Sequence, residues 1–426
     1  MIHLRGEKTV HDPVHGSMRV GGLVLDLMDT PELQRLRGIR QLGLAYMAFP
    51  GANHSRFEHS IGTAYLAGQI ANELGLNQDE KNLLQASAVL HDVGHAPYSH
   101  TLEYLMTDYL GEDHMNITGS ILQGKLNICS EDERKKLKKL GVQNASGVLK
   151  RWRVSAIDVS NLLLGRHRKR YLGELLHGEI DVDQMDYLLR DSLYTGVALG
   201  MVDMDRLMHT LIIHKGRVAV LSKGVEAVEG LLTARSLMYS SVYFHHTVRV
   251  AEMMLANAVD RALDMRGPIN SSNFYLMNDS QLMEGLDAMS GYPADMVFRI
   301  KCRLLFKPVY IEDRRELTKT EKSKYLKRFG RWSQVKKIQN EIADEAGVER
   351  GYVILDAPMV DILISEPRLD KVEVPVLSDD GLSLLSDVSP IATALKRRQA
   401  PRYLLRVVAD QKQADKVKKA AERVLG

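Results

Sequence analysis

Three segments of the chain carry imidazole and carboxylate groups that could share a cation. HSRFEHS carries His59, LHDVGHAPYSH carries the adjacent pair His91 and Asp92, and IDVDQMDY carries Asp183. A divalent ion held without thiolate needs such donors from several elements, and a neighbouring His-Asp pair supplies two at once. Thiolate ligation is excluded because Cys129 and Cys302 lie far apart and no CxxC occurs. An ion held this way polarises phosphoryl oxygen and lowers the pKa of water. His95 and His100 flank Pro97, which turns the chain so that both can face a substrate near the metal. Imidazole suits protonation of a leaving oxygen near neutral pH. Glu103, one helical turn further, is placed to orient one of them. Each residue alone has an ordinary explanation as a packed histidine or a helix cap. The set does not: His59, His91, Asp92, His95, His100 and His114 crowd into segments otherwise apolar enough to be core.

These residues need elements to hold them. Phe57, Ile61, Leu66, Ile70 and Leu74 recur at helical spacing around His59, and Leu83, Leu84, Ala88 and Leu90 predict a second helix ending in His91 and Asp92. Pro97 marks where that helix must break. GEIDVDQMDYLLRD reads as a helix start rich in Asp, as the macrodipole favours, with Asp183, Tyr187 and Asp191 on one face. Arg235, Tyr239 and Tyr243 repeat that spacing. The stretch up to about Val24 predicts short strands with turns at Asp12-Pro13 and His15-Gly16. Thr30-Pro31 opens a helix that Leu33, Leu36, Ile39 and Leu42 carry towards Phe49-Pro50-Gly51. Residues 222–263, free of proline, read as one long helix, and the basic stretch 307–337 reads as a solvated helical face. Strands are expected at 351–355 and 403–408, with a closing helix through Ala414, Val417, Ala421 and Val424. The fold class is therefore mainly α, with a short N-terminal β element and a smaller C-terminal α+β unit. The expected domains are 1–305 and 306–426.

A chain of 426 residues suits more than one packed unit. Its 45% hydrophobic and 26% charged residues are those of a soluble globular protein, and its apolar runs are too short to span a membrane. MIHLRGEKTVHDPVHG is not a secretory signal, so a cytoplasmic protein is expected. A net charge of +3 does not by itself imply nucleic acid.

The ordered set H…HD…D is the signature of the HD phosphohydrolases. KTVHDPVHG, MDTPELQRLRGIRQLG, FPGANHSRFEHSIG, LHDVGHAPYSH, IDVDQMDYLLRD and ARSLMYSSVYFHH together resemble the deoxynucleoside triphosphate triphosphohydrolases of the HD superfamily. The resemblance implies an HD-domain helical core with metal ligands His59, His91, Asp92 and Asp183, and catalytic or phosphate-contacting histidines His95, His100 and His114. It implies that Gln41 and Leu42 meet the sugar and disfavour a ribose 2′-hydroxyl. Arg56, Tyr187, Asp191, Arg235 and Tyr243 match positions that contact phosphates or deoxyribose. An allosteric guanine nucleotide between subunits is implied at Lys8, Asp29, Gln34 and Arg37, which requires a homo-oligomer, a dimer or tetramer. The implied reaction is attack of water on the α-phosphorus, with a histidine protonating the departing 5′-oxygen, to release deoxynucleoside and inorganic triphosphate.

Four departures from the vertebrate member of that family fall near the triphosphate. Gln184 stands where it has Lys, Met115 where it has Glu, and Tyr239 and His246 where it has His and Lys. Two His with two Asp suit Fe, Mn, Zn or Ni, and Mg can accompany the substrate's phosphates. Two other functions are compatible with the residues. One is cleavage of a modified, cyclic or mono-nucleotide at the same site. The other is single-stranded nucleic acid binding by the basic stretches 314–338 and 396–402.

Overall fold

The computed structural model describes residues 6–426 apart from 267–270, 314–316, 359–372 and 398–402. It is mainly helical, with small sheets, as the apolar spacing implies. The chain opens on an antiparallel hairpin, β1 (Lys8–Asp12) and β2 (Gly16–Val20). Asp12 closes its turn by accepting the backbone N–H groups of Val14 and His15, both at 2.9 Å.

The helix at Arg56–Glu73 is the centre of the molecule. Its N-terminus is set by Ser55 and Glu58, and it is buried on nearly every face, including His59, Gly62, Ala64 and Ile70. It packs against the helices at Gln78–Leu90 and Val182–Thr195. Asn77 caps the former, accepting from the backbone of Asp79 and Glu80. Asp181 caps the latter, accepting from Gln184 N at 2.8 Å. These three helices bring residues from 59 to 191 to one place.

Three expectations about elements are corrected. The helix begun at Thr30-Pro31 ends at Arg35 and continues only as a short 3₁₀ turn, Leu36–Gly38. Ile39 is extended, and a bridge between Arg40 and Ser55 takes over the backbone pairing. The long helix of 222–263 is interrupted: α-helix Val225–Met238 passes into a π-helical turn, Tyr239–Tyr243, before the helix His246–Arg266. The basic stretch begins as a strand, Lys307–Glu312, before the helices at Lys319–Phe329 and Trp332–Ala346. Of the two basic stretches, residues 314–316 and 398–402 lie outside the described residues.

The remaining strands form two sheets. β3 (Leu211–His214), β4 (Arg217–Leu221), β7 (Pro375–Ser378) and β8 (Gly381–Leu384) lie in that order, with β4 and β7 parallel. β5 (Lys307–Glu312), β9 (Leu405–Ala409) and β6 (Val353–Asp356) make an antiparallel sheet. A second core of Val335, Ile342, Leu355, Val407, Val417 and Ala421 fills the space between this sheet and the helices at Trp332–Ala346 and Ala414–Leu425. This core falls wholly within residues 306–426, whereas β7 extends a sheet that begins before them.

Candidate metal centre

His59 sits in the first turn of its helix, His91 and Asp92 at the end of the next, and Asp183 in the first turn of the helix at Val182–Thr195. Their reactive atoms converge. His59 Nε2 lies 3.2 Å from His91 Nε2 and 3.0 Å from Asp183 Oδ1. His91 Nε2 lies 3.2 Å from Asp92 Oδ1 and 3.7 Å from Asp183 Oδ1. His59, His91 and Asp92 are buried, while a quarter of the Asp183 side chain is exposed, so the cluster opens on that side.

Hydrogen bonding on the far side of each imidazole fixes what faces the cluster. His59 Nδ1 lies 2.8 Å from Asp186, and an ionised carboxylate can only accept, so Nδ1 carries the proton. His91 Nδ1 donates to the Ala88 carbonyl at 2.7 Å. Both Nε2 lone pairs therefore point inward, beside two carboxylate oxygens. The ligand atoms of His59, His91 and Asp183, which lie within 4.8 Å of one another, repel unless a positive charge sits among them. A proton can serve in the metal-free protein: burial works against the His59 imidazolium, yet its bonds to Asp183 and Asp186 hold the pKa up at about 10. Burial likewise opposes the Asp183 carboxylate, and the bond from His59 outweighs it, lowering the pKa. A divalent cation would displace that proton. The donor set fits a borderline divalent ion, since imidazole nitrogen and carboxylate oxygen converge with no thiolate.

His95 and His114 lie beside this cluster. Their rings stack, with centroids 4.1 Å apart. His95 Nε2 donates to Asp92 Oδ1 at 3.0 Å, and its Nδ1 meets the Ser99 hydroxyl. Burial, with Arg56 and His114 nearby, keeps the His95 pKa well below the ordinary histidine value. Burial also disfavours the His114 imidazolium, but Glu103, bonded to its Nδ1, raises the pKa. Glu103 thus holds His114. His100 starts the helix at Ser99–Leu110, and its side chain lies outside the described residues.

The residues matched to a substrate pocket are mostly buried and engaged with one another. Arg56 donates to Asp92 Oδ2 at 2.8 Å. Asp191 accepts from His54 at 2.7 Å and from the Tyr243 hydroxyl at 2.8 Å. Tyr187 lies between the His59 and Tyr243 rings, with centroids 6.5 and 6.2 Å away. Arg235 is buried in the helix that leads into the π-helical turn. Among the described residues, buried Gln41 Oε1 has no hydrogen-bond partner, and Leu42 is half-buried against the core. Gln184 is turned away from the cluster, its amide donating to Gly178 O and Asp181. Met115 packs on the core. Of the effector residues, Lys8 and Asp29 are exposed, and Gln34 accepts from Arg37 at 2.9 Å, with Arg37 over the Phe57 ring.

Residues 56–191 match the model of the HD domain, and residues 202–426 match that of the HD-associated region. The chain belongs to the HD-domain family. A protein of Methanocaldococcus jannaschii without an assigned activity is 31% identical over 97% of this HD-domain chain and 81% of its own length. The deoxynucleoside triphosphate triphosphohydrolase of Gallus gallus is 27% identical over 88% of this chain, which spans 62% of that enzyme. A solved structure of a hypothetical protein from Aquifex aeolicus superposes with a TM-score of 0.70 at 27% identity, covering 97% of this chain and 99% of that one. HD domains are metal-dependent phosphohydrolases, so this HD-domain protein is a hydrolase. Among its described residues no helix is long and apolar enough to cross a membrane.

Sequence reasoning missed several residues around the cluster. Asp186 and Arg190 had a signal, because they lie at i, i+4 on the helix of Asp183. His15 and Asp12 read only as a turn, and Arg35, whose Nη2 holds the His95 carbonyl at 2.6 Å, read only as part of a helix.

Proposed function

We propose that this HD-domain protein hydrolyses deoxynucleoside triphosphates to deoxynucleoside and inorganic triphosphate. The observation that carries the reading is the convergence of ligand atoms from His59, His91 and Asp183 on one partly open point, with Asp92 beside His91. Those residues would hold Fe, Mn, Zn or Ni. When bound, such an ion supplies Lewis acidity to a phosphoryl oxygen and to water.

The protein's own groups do the rest. Glu103 holds His114 by Nδ1 and favours its protonated form, leaving Nε2 to deliver a proton to the departing 5′-oxygen. His95, kept neutral, stacks on His114 and limits its rotation. His100 is the third histidine of this group. Arg56 neutralises Asp92 at the edge of the phosphate region. Tyr187, Arg235, Asp191 and Tyr243 line the sugar and phosphate region, and Gln41 with Leu42 excludes a ribose 2′-hydroxyl. Mg can accompany the substrate's phosphates. A guanine nucleotide at Lys8, Asp29, Gln34 and Arg37 acts between subunits of a cytoplasmic homo-oligomer.

The test is product analysis with purified protein, each of the four deoxynucleoside triphosphates and Mn²⁺, Fe²⁺ or Mg²⁺, with and without GTP. Deoxynucleoside with inorganic triphosphate is the expected pair. Diphosphates or monophosphates would contradict the reaction, and equal turnover of ribonucleotides would favour another nucleotide substrate.

A further inference from the structure

Asp186 accepts four hydrogen bonds at the molecule's centre, yet it does not face the cation position. Its Oδ2 accepts from His59 Nδ1 and from Arg190 Nε, both at 2.8 Å. Its Oδ1 accepts from His15 Nε2 at 2.6 Å and from Arg190 Nη2 at 2.9 Å. Asp186 and Arg190 are fully buried. Arg190 reaches in the other direction to Asp12, with Nη1 to Oδ2 at 2.8 Å and Nη2 to Oδ1 at 3.3 Å. Asp12 also accepts the backbone N–H of His15, so the hairpin turn that starts from Asp12 aims His15.

We propose that Asp12, His15, Arg190 and Asp186 form a positioning relay through which the N-terminal hairpin fixes the ring orientation and tautomer of His59. On this account the hairpin belongs to the metal centre although none of its residues touches the ion. The proposal rests on the metal reading above. Its logic is one of acceptors and charge. A carboxylate that receives four hydrogen bonds has no acceptor capacity to spare, so it keeps the proton of His59 on Nδ1 and the Nε2 lone pair towards the cation. Two carboxylates against one guanidinium leave a net charge of −1 behind His59, which favours a cation in front of it.

A purely structural ion cluster would give the same distances, so the test must separate metal affinity from stability. The full chain is stripped with chelator and titrated with Mn²⁺, bound metal being measured by equilibrium dialysis and elemental analysis, with thermal unfolding recorded for each variant. Asp183→Ala is the control that removes a ligand, and His11→Ala, an exposed change in the same hairpin, is the control that should bind as the wild type does. Asp186→Asn is expected to weaken Mn²⁺ binding about 10–100-fold. His15→Ala is expected to weaken it in the same direction, and His15→Gln, which keeps an N–H donor, to recover part of the loss. Should Asp186→Asn fail to fold, the His15 pair decides. Wild-type affinity in His15→Ala and in any folded Asp186→Asn, alongside lost binding in Asp183→Ala, overturns the relay alone. Absence of Mn²⁺ binding by the wild type overturns the metal reading and the relay with it.

Discussion

Chemistry in this protein begins with which nitrogen carries a proton. His59 and His91 are each held by Nδ1, one by a carboxylate and one by a carbonyl, so both present Nε2 to the same point. His114 is held by Nδ1 too, but by Glu103, and the role proposed for it is to give up a proton. His114→Ala is therefore expected to lower kcat by about 10²–10⁴-fold while metal content stays unchanged. Glu103→Gln removes the charge that raises the His114 pKa. If the protonated imidazole is the active form, activity is lost as pH rises through that pKa, and the variant loses it earlier. The alkaline limb of its kcat profile should thus move to lower pH, a shift that steady-state kinetics across pH would read directly.

The His/Asp cluster was legible because the types and order of its residues are unusual and because each stands at a helix end that the sequence already marks. Asp186 and His15 were not legible as a pair, because their bond joins residues 171 apart and neither spacing nor composition reports it. The π-helical turn at Tyr239–Tyr243 was hidden for another reason. No proline or glycine interrupts the helix there, and the distortion accompanies a tertiary bond from Tyr243 to Asp191. The strand Lys307–Glu312 was masked by its charges, although it lies at a sheet edge where charged side chains are tolerated. Close approach of two helices depends on Gly62, where a Cβ would stand 1.9 Å from Asp186 Oδ1 and 2.5 Å from Arg190 Nη2. Gly62→Ala should therefore force apart the helices of His59 and Asp183. A loss of about 1–3 kcal/mol or more is expected in denaturant unfolding, together with weaker metal binding.

Across the whole molecule, the C-terminal sheet is locked to the helical core by buried charge. Asp356 of β6 accepts from Arg249 on the helix at His246–Arg266 at 2.8 Å, from Arg406 of β9 at 2.7 Å and from the Tyr403 hydroxyl at 2.6 Å. Burial alone would raise the Asp356 pKa, and the two guanidinium groups outweigh it and hold it below the usual carboxylate range. Since the folded pKa lies below the unfolded value of about 4, the stabilisation is complete above that pH and is lost as pH falls through the folded value. Asp356→Asn removes the anion shared by two buried arginines, leaving Arg249 its longer pairing with Glu252 at 3.6 Å, and should cost about 3–5 kcal/mol at neutral pH. The acid limb of Tm against pH should flatten in the variant, which thermal unfolding between neutral and acid pH would reveal.

Everything functional in this account depends on one cation among His59, His91, Asp92 and Asp183. Crystals grown with Mn²⁺ and measured at its absorption edge test that directly. An anomalous peak bonded to His59 Nε2, His91 Nε2 and the carboxylates of Asp92 and Asp183 is the result expected. A peak elsewhere, or none at full Mn²⁺ occupancy of the crystallisation solution, would contradict it.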